Sequence, residues 1–153
     1  MIRYLTTLAI LFLSLSLGGA GESAFSSPEA TLATYKDALR RGSFEDSDRC
    51  YTAEFQKFQQ TDEQYRKHRS PQQLTNAFKA LQSRQFSVDT VSPTRAIVRW
   101  KPADPFLNPF YLAREGGEWK LDGMFMYENI KFGKSGWSWT SGPAAEEAWK
   151  SGK

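Results

Sequence analysis

The chain has 153 residues with a formal net charge of +3, and its 20 basic side chains alternate with 17 acids. That suits one domain, and it excludes a nucleic-acid groove, which needs basic residues gathered into a patch or stripe. One cysteine rules out an intramolecular disulfide, and one histidine with no carboxylate cluster at ligand spacing argues against a transition-metal site, so no metal and no cofactor are expected.

The first stretch, MIRYLTTLAILFLSLSLGGAGES, has the layout of a secretory signal peptide. Arg3 is a short positive region, Leu5 to Leu17 an apolar run, and Gly18-Gly19-Ala20 the small residues before a cleavage site after Ala20. The run falls short of the ~20 residues that a membrane span needs. The expectation is a signal peptide over residues 1–20, a periplasmic or extracellular product, and no stable membrane anchor after cleavage. No cysteine flanks the site, which argues against a lipid anchor. The remainder, about 130 residues, can bury roughly two-thirds of its unfolded surface and needs no staple. Cys50, set among helix-forming residues, is expected to be buried.

Ser27-Pro28-Glu29 reads as a helix N-cap, a proline at the first helical position and an acid in the first turn. Leu32, Tyr35 and Leu39 recur at helical spacing, and Gly42 stops the helix. Ser43 opens a second helix with Phe44, Cys50, Tyr51, Phe55 and Phe58 to bury. Thr61-Asp-Glu-Gln64 and Ser70-Pro-Gln-Gln73 match capping boxes, the second leading into a stripe of Leu74, Phe78 and Leu81.

After Ser83 the period changes from helical to alternating. Phe86 and Val88 mark a first strand, and Ser92-Pro93-Thr94 a turn. In a second strand Ala96, Val98 and Trp100 share one face, with Ile97, Arg99 and Lys101 on the other. Pro102, Pro105 and Pro109 make a loop. Phe110 and Leu112 alternate with Tyr111 and Ala113 in a third strand, and Gly116-Gly117 supplies a tight hairpin turn. Trp119, Leu121, Phe125 and Tyr127 are then expected on one face of a fourth strand, with Met124 and Met126 on the other. A strand apolar on both faces needs cover on both. Residues 131–153 form a Gly/Ser/Trp-rich tail, read either as frayed or as packed back over the sheet through Trp137 or Trp139.

Helices followed by an antiparallel meander give an α+β class. Two stretches carry a family resemblance: Ser27 to Asp46, a capped helix with a basic-glycine stop and an aromatic-acidic restart, and Glu115-Gly-Gly-Glu-Trp-Lys-Leu-Asp122, a charged-Gly-x-Trp-x-apolar hairpin. Over residues 27–127 the chain resembles the nuclear transport factor 2-like (NTF2-like) superfamily, and among its members small exported bacterial proteins. The resemblance implies an NTF2-like (cystatin-like) cone over residues 27–130, its N-terminal helices packed on a curved antiparallel sheet. A cystatin-like domain is the alternative fold.

Enzymes of that superfamily, such as ketosteroid isomerases and scytalone-dehydratase-like proteins, place an Asp or His base and a Tyr or Asp donor inside the cone. The inward faces expected here carry neither acid nor histidine, because alternation sets Asp122 on the side opposite Trp119 and Leu121. His68 lies among basic residues before the Ser70 cap and reads as exposed; Asp37 also reads as exposed, and Tyr35 as core. No catalytic residue is assigned. The candidate ligand pocket is Tyr35, Phe78, Val98, Trp100, Trp119, Leu121 and Phe125, and the candidate interaction surface Met124, Met126, Trp137 and Trp139. The function expected is a non-catalytic exported module that binds a protein partner, a second copy of itself or a small apolar ligand. The alternatives are an isomerase- or dehydratase-type enzyme using the cone pocket and an envelope-assembly subunit.

Overall fold

A computed structural model describes residues 23–152, so the expected signal peptide lies outside the described residues. Helix α1 spans Pro28–Arg41 and is punctuated as its sequence predicts: the Ser27 hydroxyl accepts from the Ala30 N–H, and Gly42 closes the helix at a φ of 68°. Four further helices follow, α2 (Phe44–Asp48), α3 (Ala53–Thr61), α4 (Glu63–Lys67) and α5 (Pro71–Leu81). Strands β1 (Gln85–Ser92), β2 (Arg95–Lys101), β3 (Phe110–Glu115) and β4 (Glu118–Leu121) form one antiparallel sheet in the order β1-β2-β3-β4. Then come α6 (Gly123–Asn129), a two-stranded ribbon of β5 (Ile130–Gly133) and β6 (Gly136–Trp139), and α7 (Ala144–Lys150). The chain is α+β, and among the described residues no helix is long and apolar enough to cross a membrane.

The alternation read from β2 and β3 holds. Ala96, Val98, Trp100 and Leu112 face the helices and pack with Leu32, Leu39, Leu74, Leu81, Trp119 and Leu121. Ile97 and Tyr111 face the other way, into a second core with Ile130 and Trp149, against which Phe125, Trp137 and Trp139 pack. The β3–β4 hairpin turns at Gly116 and Gly117, both at positive φ (55° and 85°), as a two-residue loop of this hand requires.

The structure corrects the sequence reading at three places. The second helix does not run through to Phe58. The backbone at Cys50–Thr52 leaves helical geometry to pair with β4: the Leu121 N–H donates to Cys50 O at 2.8 Å and the Thr52 N–H to Leu121 O at 2.9 Å. With the Trp119 N–H bonded to Phe25 O and Trp119 O accepting from the Thr31 hydroxyl, these contacts occupy the free edge of β4. The capping box expected at Thr61 does not form: the Thr61 hydroxyl turns back to Lys57 O, and the next residue is the cap, the Asp62 carboxylate accepting the Tyr65 N–H at 2.6 Å.

The third correction is the fourth strand. It ends at Leu121, and Met124 to Tyr127 lie on α6 rather than alternating across a sheet. Asp122 caps that helix by accepting from the Phe125 N–H at 3.1 Å. Gly123 permits the turn's close seat: a Cβ there would sit 2.2 Å from the Phe55 ring. Of the two readings left open for the tail, the packed one is found. Trp149 is 4% exposed, and its indole N–H donates to Asp122 at 2.7 Å. Glu146 accepts the Tyr111 hydroxyl at 2.9 Å and pairs with Arg99. Residues 130–150 therefore cover the outer sheet face, which β2 and β3 could not leave to water with Ile97 and Tyr111 on it.

Candidate functional site

Of the seven residues expected to line a pocket, Val98, Trp100, Trp119 and Leu121 are packed interior, with Phe78 partly buried against them. Phe125 is on the far side of the sheet, 4.8 Å from the Tyr111 ring, because its helix turns it away from Trp119 and Leu121. Tyr35 alone among the seven borders the two cavities described next. The four surface candidates separate too. Trp137 and Trp139 are spent on the second core, Met126 touches both cores, and Met124 borders a shallow acidic recess between α6 and α7.

The open space lies where the helices meet the sheet's end. One cavity of about 460 Å³ is bordered by α1, α2, α4 and α5; a second of about 380 Å³ is bordered by α3, β3, α6 and β5. Tyr35, Tyr51, Tyr65 and Tyr127 border both, so the two are lobes of one cleft divided by tyrosines. Each ring reaches this place for a local reason. Tyr35 lies on the buried stripe of α1, Tyr51 is carried by the segment pinned to β4, Tyr65 follows the Asp62 cap, and Tyr127 rides on α6.

The Tyr35 and Tyr51 hydroxyls lie 3.0 Å apart, their rings edge to face. Burial pushes the Tyr35 phenol up to about 12, and burial, then the neighbouring Tyr35, raises Tyr51 well above its ordinary value. Both are therefore neutral hydroxyls at physiological pH, fitted to donate and not to act as bases. The pair shares one hydrogen bond and so consumes one of two phenolic protons. The other has no acceptor among the described residues.

The lobes differ in character. The larger holds a half-buried Asp48–Arg69 pair at 2.6 Å, with the guanidinium 4.2 Å above the Phe44 ring, and His68, Gln64 and Gln73 line it. Gln59, 3% exposed, borders the same lobe; its Nε2 lies 3.4 Å from the Tyr65 hydroxyl and its Oε1 has no partner. The smaller lobe is lined by Phe55, Phe110, Met126, Ile130 and Phe132. His68 is exposed at the rim and Asp37 is held by Arg40 and Arg41 on the outside of α1, as the sequence implied. Cys50 is fully buried, and burial pushes its thiol up to about 12, so it is no nucleophile. Sequence reasoning missed the cleft because Tyr51 comes from the segment pinned to β4 and Tyr65 and Tyr127 from two short helices, whose mutual placement depends on long-range pairing. The one local signal was the surplus of aromatics in residues 51–65 over what a single helix face can bury.

No family model, curated protein or solved structure matches this chain.

Proposed function

We propose that this protein is an exported NTF2-like binding module whose tyrosine-divided cleft holds one small amphipathic molecule. The observation that carries the reading is the sharing of Tyr35, Tyr51, Tyr65 and Tyr127 by an apolar lobe and a polar lobe. Cavities of this size lie in the range of small-molecule sites, ~300–1,000 Å³. The apolar body of the ligand occupies the lobe of Phe55, Phe110 and Met126. A hydrogen-bond acceptor meets the spare phenolic proton of the Tyr35–Tyr51 pair, and the polar end lies toward Arg69 and Gln59. The two phenols stay neutral and donate, which supports binding over proton transfer. Export rests on the signal-peptide pattern of residues 1–20, and the cone on the capped α1 packed over a four-stranded meander.

The test uses a probe that matches both lobes, anilinonaphthalene sulfonate, in an isothermal titration. The expected result is saturable binding at one site per chain, weakened at least tenfold by Ala77→Trp, which fills the polar lobe, and by Tyr51→Ala. Binding that neither variant changes would place the probe elsewhere and remove the reading's support.

A further inference from the structure

The proposed ligand cleft leaves one edge of the molecule unexplained. Phe106 and Phe132 are 62% and 60% exposed, and Phe132 lines the smaller lobe with Tyr127, itself 54% exposed. They come from different segments that the backbone ties together. The Pro105 carbonyl accepts the Trp137 N–H at 2.7 Å, which seats the Pro102–Pro109 loop on β6, and Trp137 lies directly opposite Phe132 in the ribbon. Gly136 makes the seat possible, since a Cβ there would come within 2.0 Å of that same carbonyl. The tie holds two large apolar side chains in water on a folded edge, where isolated exposure would leave a loop free to bury them.

The charge of this edge points to its occupant. From Asn129 to Ala145 the sequence has no acid, and Lys131 and Lys134 flank Phe132. Both lysines are exposed, as is Lys101 at the start of the adjoining loop, and none of the three has an ion pair among the described residues. The loop's own acid, Asp104, is neutralised by Arg84. Glu128, at the end of α6, is the nearest unpaired acid in sequence. Exposed phenylalanines between unpaired lysines suit a surface that is apolar beneath and anionic above, the profile of a lipid headgroup layer.

We infer that the edge formed by Phe106, Phe132, Lys131 and Lys134 docks this protein on an anionic membrane surface. The phenylalanines enter the boundary between headgroups and acyl chains while the lysines stay with the phosphates. This surface goes beyond the cleft and does not depend on it, although Phe132 also borders the apolar lobe and would set that lobe's mouth against the lipid.

The test is co-sedimentation of the exported protein, its N-terminus verified by mass, with phosphatidylcholine vesicles containing none or about 30% phosphatidylglycerol. The expected result is binding to the anionic vesicles that falls at high salt. It should weaken about tenfold or more in Lys131→Glu/Lys134→Glu and in Phe106→Ser/Phe132→Ser. All four residues are exposed, so both variants should keep the parent's circular dichroism and melting temperature. Equal binding to neutral and anionic vesicles, or indifference to either double variant, would overturn the proposal. So would a concentration-dependent dimer mass that the phenylalanine variant abolishes, because the edge would then be a self-interface.

Discussion

Trp149→Ala tests whether the C-terminal segment is part of the fold. The indole is 4% exposed, packs 5.0 Å from the Tyr111 ring and 5.5 Å from Phe125, and sits under the Arg95 guanidinium at 4.9 Å. Its N–H donates to Asp122, the residue that caps α6. A buried tryptophan takes on the order of 200 Å² out of water. At ~25 cal/mol/Å² that is about 5 kcal/mol, and measured truncations of core Phe and Trp cost ~3–5 kcal/mol. We therefore expect a loss of about 4 kcal/mol in urea unfolding followed by far-UV circular dichroism. At roughly 3 °C per kcal/mol for a domain this size, the melting temperature should fall by about 10–15 °C. Trp149→Phe keeps most of the ring area and removes only the bond to Asp122, so it should cost about 1–2 kcal/mol. A loss below about 1 kcal/mol for the alanine variant would refute the reasoning, because a frayed tail contributes no more than that.

Three further outcomes follow from the buried groups. Burial pushes the Glu146 carboxyl up, but hydrogen bonds from Arg99, Tyr111 and Lys150 outweigh it and leave the group below its ordinary value. Its stabilising contribution is thus complete above the unfolded pKa and lost as pH falls through the folded one. The stability advantage of the parent over Glu146→Gln, followed as melting temperature against pH, should shrink steadily below about pH 4.3. Burial also raises the Tyr35, Tyr51 and Tyr111 phenols. In an ultraviolet titration to about pH 11, all three should stay un-ionised until the chain unfolds, and stability should drop on the alkaline side as their folded pKa values are approached. Cys50 should resist a thiol reagent at pH 8 and react at one equivalent in denaturant; prompt native labelling would contradict its burial.

Much of the fold was legible wherever a signal was local. The Ser27 and Ser70 caps, the Gly42 stop, the Gly116-Gly117 turn and the alternation through Ala96–Trp100 each depend on neighbours a few residues away. The errors fall where distant pairing decides. Tyr51 belongs to no helix because Leu121, seventy positions on, takes its neighbours' backbone bonds. Residues 124–127 are apolar at every position, so both periods fit, and only the Asp122 cap with the contact of Gly123 on Phe55 selects the helix. The expected pocket was placed on the sheet's inner face, which the packing of Trp100, Trp119 and Leu121 fills. The cleft forms instead at the margin, from aromatics that the core does not use.

The most direct test of the account is native mass spectrometry of the protein, purified gently and compared with Tyr51→Ala. The account predicts a mass excess of one small molecule per chain in the parent, released by organic solvent and absent from the variant. Parent protein of bare mass, taken from cells and from medium alike and unchanged by the substitution, would contradict a ligand in the Tyr35–Tyr51 cleft.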